Sequence, residues 1–435
     1  MHCPPQVSRR RFLKHTVAAV AAPALIPRTV LASAARAGAN DRIGVGFIGV
    51  GRQAGGLYRL PRDGQIVATA DVHEGRARAT AERFNARPFT HYRELLDMKE
   101  VDAVVNAVPD HWRAIQCIHA CQAGKHIYAE KALMLTIREG RAICDAVKKY
   151  NIVFQTGSQQ RSMAPNRRAC ELIRNGLLGK IERVIGANYP SPWRMNLPGQ
   201  PVPEGLDWEQ WCGPAPLVPY HIDLYAPRRN PGWLSVWPYS GGEMTGWGTH
   251  GLDQIQWALG YDDGGPVEVW CEDGKYEMPV FDEPMNRGKG DGMFRDKWKL
   301  HYRYPCGVEV VLDRGSQAGG IFVGEKGRLE IRRNSFAANP KELADAELPE
   351  GAVRLVESNN HMGNWFDCMK SGELPIAHAE VGHRSTSVCL LGNIARWVGR
   401  RLKWDPVREE FPGDDEANAY LDVERREGYE LPVPV

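Results

Sequence analysis

The sequence predicts an α/β protein: an N-terminal Rossmann domain with a doubly wound parallel sheet, then a C-terminal α/β domain with an open, mainly antiparallel sheet. Three observations carry this. Short β-rich apolar runs alternate with helical patterns of about a dozen residues over the first third of the chain. A glycine turn, Gly49-Val50-Gly51, directly follows the first run. Beyond Gly179 the alternation gives way to longer strands separated by glycine turns. A chain of 435 residues with 43% hydrophobic content is also too long for one ordinary core.

IGVGFIGVG (43–51) reads as a fully buried parallel strand ending in glycines. QIVATAD (65–71) is the next strand, followed by a helix over 74–85 and the strand DAVVNAVP (102–109). A helix over 111–123, the strand HIYAEKA (126–132), a helix over 136–150 and the strand IVFQTGS (152–158) complete the first domain. IERVIGANY (181–189) opens the second sheet. VEVW (267–270), KWKLHYRY (297–304), VEVVLDR (308–314), IFVGE (321–325) and GRLEIRR (327–333) continue it as antiparallel strands. Helices around 361–370 and 378–398 close the chain. The domain limits expected from this reading are 41–157 and 158–435.

The first 37 residues read as an address rather than a fold. Ser8-Arg9-Arg10-Arg11-Phe12-Leu13-Lys14 matches the twin-arginine export pattern, a modestly apolar run follows, and A-x-A choices stand at 32–34 and 35–37. Export to the periplasm, as a folded protein, is the expectation. The segment holds six basic and no acidic residues, so the formal net charge of +2 becomes −4 without it. That mildly acidic body argues against nucleic-acid binding. No apolar stretch is long enough to span a bilayer. Ten cysteines are scattered without framework spacing, and Cys117 and Cys121 read as buried thiols, so no metal site is expected.

Gly49-Val50-Gly51-Arg52-Gln53-Ala54 is G-x-G-x-x-A between a predicted strand and the start of a predicted helix. Gly49 permits the tight turn, Gly51 lets backbone amides approach a pyrophosphate, Ala54 keeps the helix close to the sheet, and the helix N-terminus supplies positive potential. Asp71 ends the second strand about 20 residues later, where a carboxylate takes ribose hydroxyls and repels a 2′-phosphate. NAD is therefore expected, with NADP left open by the nearby His73, Arg76 and Arg78.

VPDHW (108–112), AEKALMLTIREGR (129–141) and QTGSQQRS (155–162) resemble the Gfo/Idh/MocA family of sugar oxidoreductases, and the similarity runs from about residue 42 to the C-terminus. The resemblance implies a nicotinamide ring at the domain interface, with Pro109, His111, Glu130 and Lys131 beside the cofactor. It also implies a homo-oligomer, a dimer or tetramer formed through the C-terminal sheet. The family's E-K-P motif is Glu130-Lys131-Ala132 here, which puts loop rigidity in question. A lysine at the carboxyl edge of a parallel sheet, beside a cationic nicotinamide, is expected to have a lowered pKa and to polarise a hydroxyl.

The family pattern G-G-G…D-x-G-x-H-x-x-D becomes Gly241-Gly242-Glu243, then Gly246 for the aspartate, with Gly248, His250 and Asp253 retained. By this resemblance His250 is the general base, and Asp253 caps or orients. On a helix Glu243, Trp247, His250 and Gln254 share one face. Two readings of Glu243 follow: it replaces the missing aspartate, or it favours the positive end of a helix. Trp193, Arg194, Trp208, Trp211, Tyr220, His221, Tyr225, Arg228, Trp233, Trp237 and Tyr239 fall within fifty residues. Such residues suit a sugar platform, with Trp193, Arg194, Arg161 and Asp253 as candidate substrate contacts, and equally a subunit interface.

The expected activity is hydride transfer between a sugar ring carbon and a tightly held nicotinamide, catalysed by Lys131, His250 and Glu243. Two rivals stand beside it. One is a glycosidase or epimerase acting through transient oxidation; the other is a non-catalytic sugar-binding protein of the same fold.

Overall fold

The computed structural model describes residues 42–227, 232–282 and 297–432; the twin-arginine segment and Arg228 lie outside these. Six parallel strands form the first sheet: β1 (Ile43–Ile48), β2 (Gly64–Ala70), β3 (Arg87–Phe89), β4 (Ala103–Asn106), β5 (His126–Ala129) and β6 (Phe154–Thr156). Their order is β3-β2-β1-β4-β5-β6. It reverses between β1 and β4, the switch point where doubly wound sheets bind ligands. The helices α1 (Glu74–Phe84), α2 (Asp110–Gln122) and α3 (Ile137–Lys149) connect successive strands. Thr136 and Glu139 start α3 with a reciprocal capping box.

After α4 (Ala164–Arg174), which the sequence reading passed over, β7 (Ile181–Ala187) enters an eight-stranded sheet. A pair of short strands, β8 (Arg194–Met195) and β10 (Val280–Phe281), stands apart from it. The short helix α5 (Trp208–Cys212) lies in the aromatic loop, and α6 (Glu243–Gly246) runs into α7 (Gly248–Leu259). The sheet gains β9 (Glu268–Cys271), β11 (Leu300–Arg303), β12 (Glu309–Asp313), β13 (Gly320–Gly324), β14 (Gly327–Arg332) and the edge strand β15 (Ser335–Asn339). The helices α8 (His361–Ser371) and α9 (Ala379–Val398) precede β16 (Leu402–Lys403). The order is β15-β14-β13-β7-β12-β11-β9-β16. Every pairing is antiparallel except β12 with β7, where a parallel pair closes the sheet's middle.

Two packing relationships fuse the units. Trp365 and Phe366 of α8 return to the first sheet and bury themselves against Val45, Phe47 and Tyr128. Helix α9 is buried along almost its whole length and serves as a shared spine. At its start Arg141 of α3 bridges Glu380 and Glu409, and Arg384 joins the same two carboxylates. Burial opposes ionisation of Glu380, but Arg141 and its neighbouring cations win and hold its carboxyl at about 2. The described cysteines form no disulfide, and all but Cys306 are buried.

Candidate active site

The cofactor half of the site follows from the ends of β1, β2 and β4. Gly49 has φ +78°, and a Cβ there would fall 2.8 Å from Val108 and 3.0 Å from Ala107, so only glycine fits this turn. The helix expected after the glycine turn is only a short 3-10 turn, Ala54–Gly56, where the chain carries two further glycines; Ala54 is fully buried, and Arg52 and Gln53 are exposed at the mouth. Asp71 accepts the amides of Val50 at 3.0 Å and His73 at 2.9 Å, and Arg76 lies 3.6 Å away. The carboxylate thus ties the glycine turn to β2 while retaining lone pairs for a ligand.

These residues open into a cleft of about 280 Å³. Gly49, Gly51 and Pro109 line it together with Asp71 and Arg76 and with Glu130 and Lys131. The residues fit a dinucleotide: a glycine cradle that a side chain would fill, a strand-end carboxylate, and a lysine at the carboxyl edge of the sheet. Glu130 is buried and accepts from Gln159 Nε2 at 3.0 Å; the same amide reaches the Tyr128 hydroxyl. The Lys131–Ala132 peptide is cis. Arg113, wholly buried, donates to the carbonyls of Val108 and Ala132 and pairs with Asp110 at 2.9 Å. Ser240 donates to the other oxygen of Asp110, which extends this buried network to the residue before Gly241.

The second motif sits deeper. Gly242 has φ +79°, with a Cβ position 2.6 Å from the Pro192 nitrogen, so the chain turns there against 190–192 before α6 begins. Glu243 and His250 are 4% and 7% exposed, and neither lines the cleft that Lys131 lines. Trp247 packs edge-on to the His250 ring at 5.7 Å and joins α6 to α7, so Glu243, Trp247 and His250 follow one helical path. Helix α9 brings the two motifs together. Thr386 receives the Leu133 amide at 3.4 Å, and Cys389 meets Thr249, the neighbour of His250, at 3.6 Å.

Several expected contacts are corrected. His111 does not line the cleft: its ring nitrogens face the carbonyls of Trp211 at 3.0 Å and Tyr239 at 3.3 Å, behind the wall. Burial pulls its pKa down to about 4, so it is neutral there. Arg161 and Asp253 are spent on each other at 2.9 Å, both almost wholly buried, with Ser385 on Asp253 and Asp262 on Arg161. Burial pushes the Asp253 carboxyl up, and Arg161 pulls against it. A substrate cannot reach this closed pair. Trp193 packs tilted against Phe281, ring centroids 6.3 Å apart, and Arg194 is exposed on β8; neither lines the cleft. The aromatic loop instead packs on itself, Trp208 against Trp211 at 4.5 Å, and lends Trp211, Tyr225 and Trp233 to the cleft. Its use as a cofactor wall was not legible because those rings lie far along the chain from Asp71.

Comparison with known proteins agrees with this architecture. Residues 43–158 match an oxidoreductase family with an NAD-binding Rossmann fold, and residues 167–431 match the C-terminal α/β domain of the same family. The chain belongs to the Gfo/Idh/MocA oxidoreductase family. Its first domain is that family's NAD-binding domain. A stretch of 135 residues is 33% identical to levoglucosan dehydrogenase of Pseudarthrobacter phenanthrenivorans, spanning 29% of this chain and 35% of that one. Another of 154 residues is 27% identical to myo-inositol 2-dehydrogenase of Thermotoga maritima, spanning 34% of this chain and 46% of that one. The chain thus spans less than half the length of either relative. The fold is similar, with a TM-score of 0.58 and 18% identity, to the WlbA dehydrogenase of Bordetella pertussis in complex with NADH and UDP-GlcNAcA. That likeness covers 84% of this chain and 99% of the other. No helix among the described residues is long and apolar enough to cross a membrane.

Proposed function

We propose that the protein is an exported, NAD-dependent sugar oxidoreductase. The observation that supports this best is the cleft itself, which both Asp71, at the strand end where a ribose is held, and Lys131, at the carboxyl edge of the sheet, line. The names of the two curated relatives, a levoglucosan dehydrogenase and a myo-inositol 2-dehydrogenase, favour a polyhydroxylated ring as substrate. NAD, when bound, supplies the two-electron acceptor for a hydride from a ring carbon. Lys131 polarises the hydroxyl on that carbon, and His250 takes the hydroxyl proton as the C–H bond breaks. Glu243, about two turns before His250 on the same helical face, orients it in place of the aspartate absent at Gly246. His250 lies off the open cleft, so reaction requires the sugar to enter between Lys131 and α7.

The twin-arginine segment favours export, and outside the cytoplasm no soluble nicotinamide pool is expected. The cofactor is therefore resident and regenerated in place, by reducing a second sugar or within one turnover. The altered GGEMTG segment, with its buried Glu243, also favours a second reading: transient oxidation that acidifies a neighbouring C–H, giving a glycosidase or epimerase. Incubation of the protein with a panel of sugars and glycosides, followed by product analysis, separates these. An oxidised sugar supports the first reading and a cleaved or epimerised one the second. No product from any class returns the chain to sugar binding alone.

A further inference from the structure

The segment from Gly205 to Pro227 belongs to the C-terminal domain, yet it is sewn onto the Rossmann domain. Glu74 donates its amide to the Gly205 carbonyl at 2.9 Å, and Asp207 donates to Val72 at 3.0 Å. The Trp112 indole donates to the carbonyls of Gln210 at 2.9 Å and Trp211 at 3.1 Å. These bonds pin the base of the segment beside the end of β2. Trp211 then packs against Tyr225 with ring centroids 5.7 Å apart, and both rings line the cleft near Asp71.

Arg76 sits where the two halves meet. Its guanidinium carbon lies 5.4 Å from the Tyr225 ring centroid, a cation–π arrangement, and one terminal nitrogen is 3.6 Å from Asp71. The other terminal nitrogen is 3.5 Å from where a Cβ on Gly51 would stand, so the cation overhangs the glycine turn. Two donors at this junction, Arg76 Nε and the Tyr225 hydroxyl, are buried with no hydrogen-bond partner among the described residues. Buried donors are nearly always satisfied, so an orphaned pair asks for an acceptor that the protein does not supply. The ribose and phosphate oxygens of a dinucleotide are such acceptors, and Asp71 marks the place of the adenosine ribose.

We propose that Arg76 and Tyr225 form a clasp between the two halves of the chain. In it, the aromatic segment closes over the adenosine ribose and phosphate of the cofactor and slows its escape. The clasp presupposes a dinucleotide in the cleft, as proposed above. It gives the aromatic loop a role on the cofactor rather than on the sugar. It also accounts for how the chain retains a ligand that export would otherwise strand.

The test is the rate at which bound NAD leaves. Purified protein is loaded with isotopically labelled NAD and chased with a large excess of unlabelled NAD, and the bound species is followed by native mass spectrometry. Tyr225→Ala is expected to release the label at least tenfold faster than the wild type. Tyr225→Phe, which keeps the ring and removes only the unpartnered hydroxyl, is expected to fall between them. Thermal unfolding without ligand confirms that each variant is folded. Should Tyr225→Ala fail to fold, Tyr225→Phe alone decides, and release at the wild-type rate overturns the clasp. Slow release from wild type and Tyr225→Ala alike overturns it too. Fast wild-type release that is faster still in the variant keeps the clasp and removes the resident cofactor. A wild type that takes up no NAD removes the dinucleotide reading and the clasp with it.

Discussion

Thr386 and Cys389, one turn apart on α9, hold the two motifs of the candidate site on one helix face: Thr386 takes the amide of Leu133, and Cys389 meets Thr249. Burial pushes the Cys389 thiol up to about 12, so it meets Thr249 as a neutral group. The lysine loop and the histidine helix come from different domains, and this shared support fixes their spacing. It predicts that Lys131→Ala and His250→Ala each lower turnover by about 10²- to 10⁴-fold, the usual contribution of a general acid–base group. Circular dichroism should remain native. Turnover of the His250 variant within a few-fold of wild type would make that residue a packing element.

Replacing Asp71 by alanine removes a carboxylate that holds the Val50 and His73 amides and faces the ribose position. NAD affinity is expected to fall more than NADP affinity, because the same carboxylate repels a 2′-phosphate. Titration of both cofactors against the variant measures this. Equal losses would mean that Asp71 supports the glycine turn only.

The pair Glu243 and Gly246 separates replacement from helix support. If Glu243 orients His250, Glu243→Gln lowers kcat strongly, and its effect is non-additive with His250→Ala. Gly246→Asp, which restores the family spacing, should then recover part of the loss. If Glu243 only favours the helix start, the variant costs a few tenths of a kcal/mol of stability and leaves kcat alone.

The core of this reading was visible in the sequence because the Rossmann half is written locally. Buried strands, the glycine turn and Asp71 all lie within 30 residues of one another, and each leaves a short-range signature. Arg161 and Asp253 show the opposite case. As isolated polar residues next to motif positions they resembled substrate contacts, but they are 92 residues apart and neutralise each other in the core. His111 misled in the same way, since the carbonyls that hold it lie in the aromatic loop. Sequence patterns show which polar groups exist; they do not show which are already paired.

That correction is testable. Asp253→Ala leaves Arg161 buried with Asp262 as its remaining carboxylate and is expected to cost about 3–5 kcal/mol, as broken buried ion pairs do. Urea unfolding measures it. KM for the sugar should stay near wild type in the folded fraction. A raised KM with unchanged stability would restore Asp253 as a substrate contact.

Stability should also fall on mild acidification. Burial holds both His111 and His361 at about 4, below the ordinary value of 6.5. Between those values the unfolded chain binds a proton at each position that the folded chain refuses. The stability they contribute is therefore present above about pH 6.5 and lost as the pH drops towards 4, by about 1.4 kcal/mol per pH unit for each. Urea midpoints at pH 7.5, 6 and 5 read this slope, to which the half-buried His119, also held at about 4, adds, and His361→Gln should make it shallower between pH 6.5 and 5. A midpoint that does not move from pH 7.5 to 5 would show that these histidines are not held neutral.

The account rests most heavily on a nicotinamide cofactor held within the chain. Mass spectrometry of the protein after extensive dialysis, first under native and then under denaturing conditions, tests this directly. The native ion should carry the additional mass of NAD or NADH, and denaturation should release it in near-stoichiometric amount. Recovery of bare protein that binds added NAD only weakly would contradict the resident-cofactor mechanism.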